Sequence, residues 1–163
     1  YLSLLMPDVE YVGVELTEAG VKSSQSLVDT TTIPENLLRL ITDQEAATNT
    51  YKNVRFEQGS ADNLPYSDNS FDLVFSMLAL EQMKPILTPV LGEFRRVASD
   101  KVLMIEPFID ANNERGLRYI ENMGYFDLSS DDLEKFGFKK IQFIKSVLRK
   151  STFGAGVCLS TTL

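Results

Sequence analysis

Short runs of β-branched and aromatic residues recur along the chain, and helix-patterned segments separate them. The runs are "YVGVEL" from Tyr11, "NVRFEQ" from Asn53, "FDLVFSML" from Phe71 and "KVLMIEPF" from Lys101. The first and third alternate little, the pattern of strands buried on both faces. Pro107 stops the last at about Glu106. Thr17 is placed to cap a helix whose first turn Gly20 weakens. "DTTTIPENLLRLITDQEAATNT" predicts a second helix, with Pro34 near its first turn and Leu37, Leu38 and Ile41 on one face. "TPVLGEFRRVAS" sets Val90, Leu91, Phe94 and Val97 at helical spacing. Strands alternating with helices predict an α/β fold with a mostly parallel sheet.

The flanks complete this outline. "YLSLLMP" reads as the last turns of a helix, with Leu2, Leu5 and Met6 on one face and Pro7 as the stop. Residues 112–123 predict a helix. "SSDDLEKFGF" predicts a short one, capped by Ser129 or Ser130 and ended by Gly137. The terminal "KKIQFIKSVLRKSTFGAGVCLSTTL" predicts an antiparallel hairpin. A length of 163 residues fits a single domain spanning the chain.

Composition narrows the chemistry. A net charge of -7 disfavours a nucleic-acid partner, because phosphate binding needs clustered Lys and Arg. The single cysteine, Cys158, allows no internal disulfide and fits a reducing, cytoplasmic setting; its apolar surroundings predict a buried, unreactive thiol. Histidine is absent, which excludes a Ser-His-Asp triad, a Cys-His pair and a His-ligated metal. Proton transfer then falls to carboxylates, Tyr, Lys or water, and no metal is expected. No apolar run reaches membrane-spanning length and no signal-peptide pattern occurs, so no membrane partner is expected.

Parallel α/β sheets bind ligands outside the C-terminal ends of their strands. That rule singles out Glu15, the turn from Gly59 to Asp62, Ser76 with Met77, and Glu106 with Pro107. Glu15 has the lone pairs to accept from both hydroxyls of a ribose; it serves equally as a solvated carboxylate at a helix start. Asp62 follows Gly59-Ser60-Ala61, small residues that let a flat ring approach. A carboxylate there can accept from an exocyclic amine, or the stretch is simply a polar turn.

"GSADNLPYSDNSFDLVFS" closely resembles the segment of class I S-adenosylmethionine-dependent methyltransferases that leads into their fourth strand. "YVGVELTE" looks like their second strand with its ribose-binding acid. "LGEFRRVASDKVLMIEP" is similar to their helix, Arg-Val step and fifth strand, and "LSSDDLEKFGFKKIQFI" to their last helix and sixth strand. The resemblance covers nearly the whole chain and implies a Rossmann-like sheet, mostly parallel, with a C-terminal antiparallel hairpin. It implies S-adenosylmethionine as cofactor. Glu15 would hold the ribose and Leu16 would pack on the adenine face. Ala61 and Asp62 would meet the adenine, and Ser76 and Met77 would lie near the methionine portion. Phe108, Tyr119, Tyr125 and Phe126 follow the fifth strand, where the family builds its substrate wall; each serves equally as core.

The departures are informative. The family's first, central strand and its acidic-x-Gly-x-Gly loop would precede "YLSLLMP" and are not in this sequence, as expected of an N-terminally truncated copy. Without that strand the sheet is expected to divide into two blocks with unpaired edges. "ASDK" replaces the family's Pro-Gly-Gly turn before the fifth strand. The implied activity is methyl transfer to a small organic acceptor, with Glu81 and Glu106 as candidate bases. One alternative is a non-catalytic methyltransferase-fold domain serving as scaffold or partner subunit. A third reading, which the central loop fits poorly, is a nicotinamide-dependent oxidoreductase.

Overall fold

The computed structural model describes residues 2–6, 8–29, 53–149 and 152–162. The helix expected around Pro34 lies outside the described residues. The chain divides into two compact units, Tyr1–Ala61 and Asp62–Leu163.

The first unit contains α1 (Leu2–Leu5), β1 (Tyr11–Glu15), α2 (Glu18–Val28) and β2 (Val54–Gln58). β1 and β2 run parallel, with Gly13 opposite Phe56. A Cβ on Gly13 would lie 2.4 Å from the Phe56 ring, so the ring rests directly on the β1 backbone. Thr17 caps α2 as its position predicts: its Oγ1 accepts from the Gly20 amide at 3.0 Å. β1 is half-buried along its length rather than enclosed. Among the described residues its sheet has only one other strand.

The second unit contains β3 (Phe71–Met77), α3 (Leu87–Val97), β4 (Ala98–Glu106), α4 (Glu114–Met123), β5 (Lys139–Arg149) and β6 (Gly154–Thr161). Its strand order is β3-β4-β6-β5. β3 and β4 are parallel, and β6 is antiparallel to both of its neighbours. The right side chains recur on α3 to cover this sheet: Leu87, Val90, Leu91, Phe94 and Val97 are all buried. Burying such a side chain contributes roughly 1.5–3 kcal/mol. Val102 and Met104 of β4 complete that core. A short 3-10 helix, Asp131–Phe136, ends at Gly137 in the left-handed conformation, φ 84°. Its neighbour is the Arg95 guanidinium, whose Nη1 a Cβ there would meet at 2.6 Å.

β3 departs from the buried strand that its composition predicts. Leu73, Phe75 and Met77, on one face, are 42%, 45% and 54% exposed. The reason is position: among the described residues β3 pairs with β4 alone. β4 also begins earlier than expected, at Ala98. The "ASDK" segment forms no separate turn. Phe71 pairs with Ala98 and Leu73 with Lys101, which leaves one extra residue in β4, a bulge that continues the strand. The described strands fall into two sheets, one of two strands and one of four. Among the described residues no helix is long and apolar enough to cross a membrane.

Candidate functional site

In the first unit, the end of β1 and the turn after β2 are tied together. The Gly59 amide donates to the Glu15 carbonyl at 3.0 Å, and Gln58 Nε2 donates to the Leu16 carbonyl at 3.3 Å. The Glu15 side chain lies over the first turn of α2. A Cβ on Gly20 would stand 2.9 Å from Glu15 Oε2 and 3.1 Å from Thr17 Oγ1. The glycine that weakens the helix start therefore makes room for the carboxylate. That position, one strand end and one helix N-terminus, suits a fixed anion with its oxygens available as acceptors. Leu16 beside it is exposed, and Ala61 is half-buried.

In the second unit, Asp62 is half-buried at the start of the loop to β3. Past β3 the chain turns sharply: Leu78 has φ 52° and its amide donates to the Ile105 carbonyl at 3.0 Å. A bulky residue in the left-handed region is held there by its surroundings, a pattern common at functional sites. What holds it is Glu106. Glu106 Oε1 accepts from the amides of Ala79 and Leu80 at 3.1 and 3.2 Å. Its Oε2 and Ser76 Oγ are buried without a hydrogen bond of good geometry. Burial pushes the Glu106 carboxyl up to about 7; the two amides and the nearby Ser76 hydroxyl oppose this, and the charge of Glu81 adds to it. Met77, by contrast, points to solvent.

Glu81 is also buried, in the 3-10 turn Leu80–Gln82 that Glu106 fastens. The Glu81 carbonyl accepts from the Phe126 amide at 3.1 Å. The Tyr125 phenol is shifted upward first by burial and then by the charge of Glu81. The two candidate acids therefore differ in role. Glu106 is committed to the loop backbone, whereas Glu81 stands beside an aromatic cluster.

The four aromatics named from sequence divide in two. Phe108 and Phe126 are wholly buried and meet edge-on at 5.6 Å, so they are core. Tyr119 and Tyr125 remain half-buried, 6.2 Å apart. Phe153, which sequence patterning did not suggest, stacks on Tyr119 at 5.5 Å and meets Tyr125 edge-on at 6.3 Å. Its position at the start of β6 gave no periodic signal. Cys158 is buried as expected, and burial pushes its thiol up to about 12. No cluster of potential metal ligands occurs among the described residues.

The family described as "Methyltransferase domain" matches residues 2–123. Similar solved structures include a SAM-dependent methyltransferase from Methanosarcina mazei, 12% identical, with TM-score 0.68 over 99% of this chain and 85% of that one. The PH0226 protein from Pyrococcus horikoshii OT3 is 18% identical, with TM-score 0.61 over 98% of this chain and 76% of that one. Magnesium protoporphyrin IX methyltransferase from Synechocystis PCC 6803, solved with bound SAH, is 13% identical, with TM-score 0.59 over 92% and 62% respectively. No curated protein sequence matches the chain. The solved structures share the Rossmann-like fold, and by the family match across most of its length this chain belongs to the methyltransferase domain family.

Proposed function

We propose that the protein is an S-adenosylmethionine-dependent methyltransferase acting on a small organic acceptor. The observation that carries this reading is the Glu15–Gly20 pair. The Glu15 carboxylate at the end of β1 lies against Gly20, where a Cβ would stand 2.9 Å from Oε2, and the small-residue turn at Gly59 is bonded to the same strand end. The residues present therefore suit an adenosine group. Glu15 accepts from the ribose hydroxyls, exposed Leu16 covers the adenine face, and Ala61 leaves space for the ring. By the resemblance, Asp62 is assigned as acceptor for the adenine amine, and Ser76 and Met77 are assigned to the methionine portion.

When bound, S-adenosylmethionine supplies an activated methyl group, so the protein has mainly to align an acceptor. Tyr119, Tyr125 and Phe153 form the aromatic wall for that acceptor. Glu81 is the carboxylate assigned to take its proton, next to Tyr125. Glu106 acts through the loop: by holding Ala79 and Leu80 it sets where Glu81 stands.

Calorimetric titration of the full chain with S-adenosylhomocysteine tests the reading. Binding is expected, and Glu15→Ala and Asp62→Ala should each weaken it roughly tenfold or more. Absence of binding sinks the proposal and leaves the non-catalytic reading. Tighter binding of NAD than of S-adenosylhomocysteine would favour the oxidoreductase.

A further inference from the structure

One pair of side chains on α3 fastens the loop that begins at Asp62. Arg96 Nη1 donates to the Tyr66 carbonyl at 2.6 Å and to Asp68 Oδ1 at 3.0 Å. Its Nη2 donates to the Leu64 carbonyl at 3.0 Å and to Glu93 Oε2 at 2.8 Å, and its Nε donates to Glu93 Oε1 at 2.7 Å. Glu93 Oε2 also accepts from the Leu64 amide at 2.7 Å. The Arg96 carbonyl accepts from the Asn69 amide at 2.8 Å. Residues 64, 66, 68 and 69 are thus all held by one arginine and the carboxylate a turn before it.

The chemistry of the pair suits this use. A guanidinium presents five donors in a planar fork, so it can grip a carboxylate and two main-chain carbonyls at once; a lysine ammonium cannot span them. The side chains of Arg96 and Glu93 are only 30% and 16% exposed, so their contacts are partly shielded from water. The hydrogen bond from Arg96 holds Glu93 below the usual carboxylate range, which keeps it charged. Within the loop, the Ser70 hydroxyl donates to the Ser67 carbonyl at 2.5 Å. Asn69 sits in the left-handed region at φ 58°, and Tyr66 meets Phe71 edge-on at 4.9 Å.

We infer that Glu93 and Arg96 are positioning residues for the cofactor: they preset the loop from 62 to 70, so that Asp62 is in place before adenine arrives. A loop ordered in advance avoids the ordering cost on binding, so the pair sets affinity through the loop. This rests on the methyltransferase reading above, and the experiment separates the two.

The full chain and its Arg96→Lys and Glu93→Gln variants are compared by amide hydrogen exchange without ligand, and by titration with S-adenosylhomocysteine. Glu114→Ala, which removes an exposed pair with Arg118 on α4, serves as control. Both clasp variants should speed exchange at Leu64 and Asn69, leave the Val102 and Met104 amides of β4 unchanged, and raise the dissociation constant roughly tenfold. The control should do neither. Faster loop exchange with unchanged affinity overturns the inference. So does acceleration throughout β4, which marks a purely structural role. If the unaltered chain binds no S-adenosylhomocysteine, the cofactor role falls with the methyltransferase reading. Exchange at Leu64 and Asn69 then still decides whether the clasp exists.

Discussion

Two loops at strand ends in the second unit are fastened by opposite means. The loop before β3 is gripped by Arg96, whose charge is matched by Glu93 and Asp68. The loop after β3 is gripped by Glu106, which is fully buried and has no cationic partner among the described residues. The first clasp is a balanced set of charges, partly open to solvent. The second is a solitary carboxyl whose nearest titrating neighbour, Glu81, is another acid. The difference predicts different sensitivities: salt and geometry for the first, protons and burial for the second.

The largest expected effect comes from removing the solitary acceptor. Glu106→Ala leaves the Ala79 and Leu80 amides without their partner and should cost about 2–4 kcal/mol in urea unfolding. A loss below about 1 kcal/mol would mean that water replaces the carboxyl easily. Glu106→Gln sharpens the contrast, because it keeps an acceptor oxygen and removes the titration. The folded-state value of about 7 lies above the ordinary 4.5, so folding favours the protonated form. The stabilising contribution is therefore complete below about 4.5 and lost as pH rises through about 7, a span of at most about 3 kcal/mol. Stability measured from pH 4.5 to 8 should lose this downward component in Glu106→Gln. An unchanged profile would show that Glu106 is ionised throughout.

Changes to the charged clasp should be smaller in global stability and larger in the loop. Arg96→Lys is expected to lower the thermal midpoint by only a few degrees while Leu64 exchanges faster. A global collapse would erase the distinction between the loops. The smallest effect is expected from salt. Raising ionic strength to about 1 M should speed exchange at Asn69 slightly through the exposed Asp68 contact, and leave Ala79 unaffected. Equal response at both amides would show that the two clasps are not different in kind.

The sequence displayed the elements better than it displayed these fastenings. Strand runs, the Thr17 cap and the Gly137 stop follow from local pattern, because each is set by neighbours a few residues away. The Arg96 contacts reach back 28 to 32 residues, mostly to main-chain carbonyls that any residue carries, so no spacing announces them. β3 looked buried because composition reports apolarity, not how many neighbours a strand has. At the site, Glu15 and Glu106 were found from their place at strand ends. Their difference was not legible: only the structure shows that Gly20 makes space for one and that two amides engage the other. Phe153 was missed since its ring partners lie on α4 and just past it, far away in sequence.

The contact of Phe56 with Gly13 has a consequence for how the first unit assembles. In a parallel pair of strands, side-chain packing helps to fix which residue faces which. A slip of one position would bring Val12 or Val14 opposite Phe56, where a branched side chain would occupy the space that the ring needs. A slipped pairing would therefore force the Phe56 ring off the backbone surface on which it now rests. The glycine acts as a key cut for one ring, and it selects the alignment that brings Glu15 level with Gln58, one residue before Gly59.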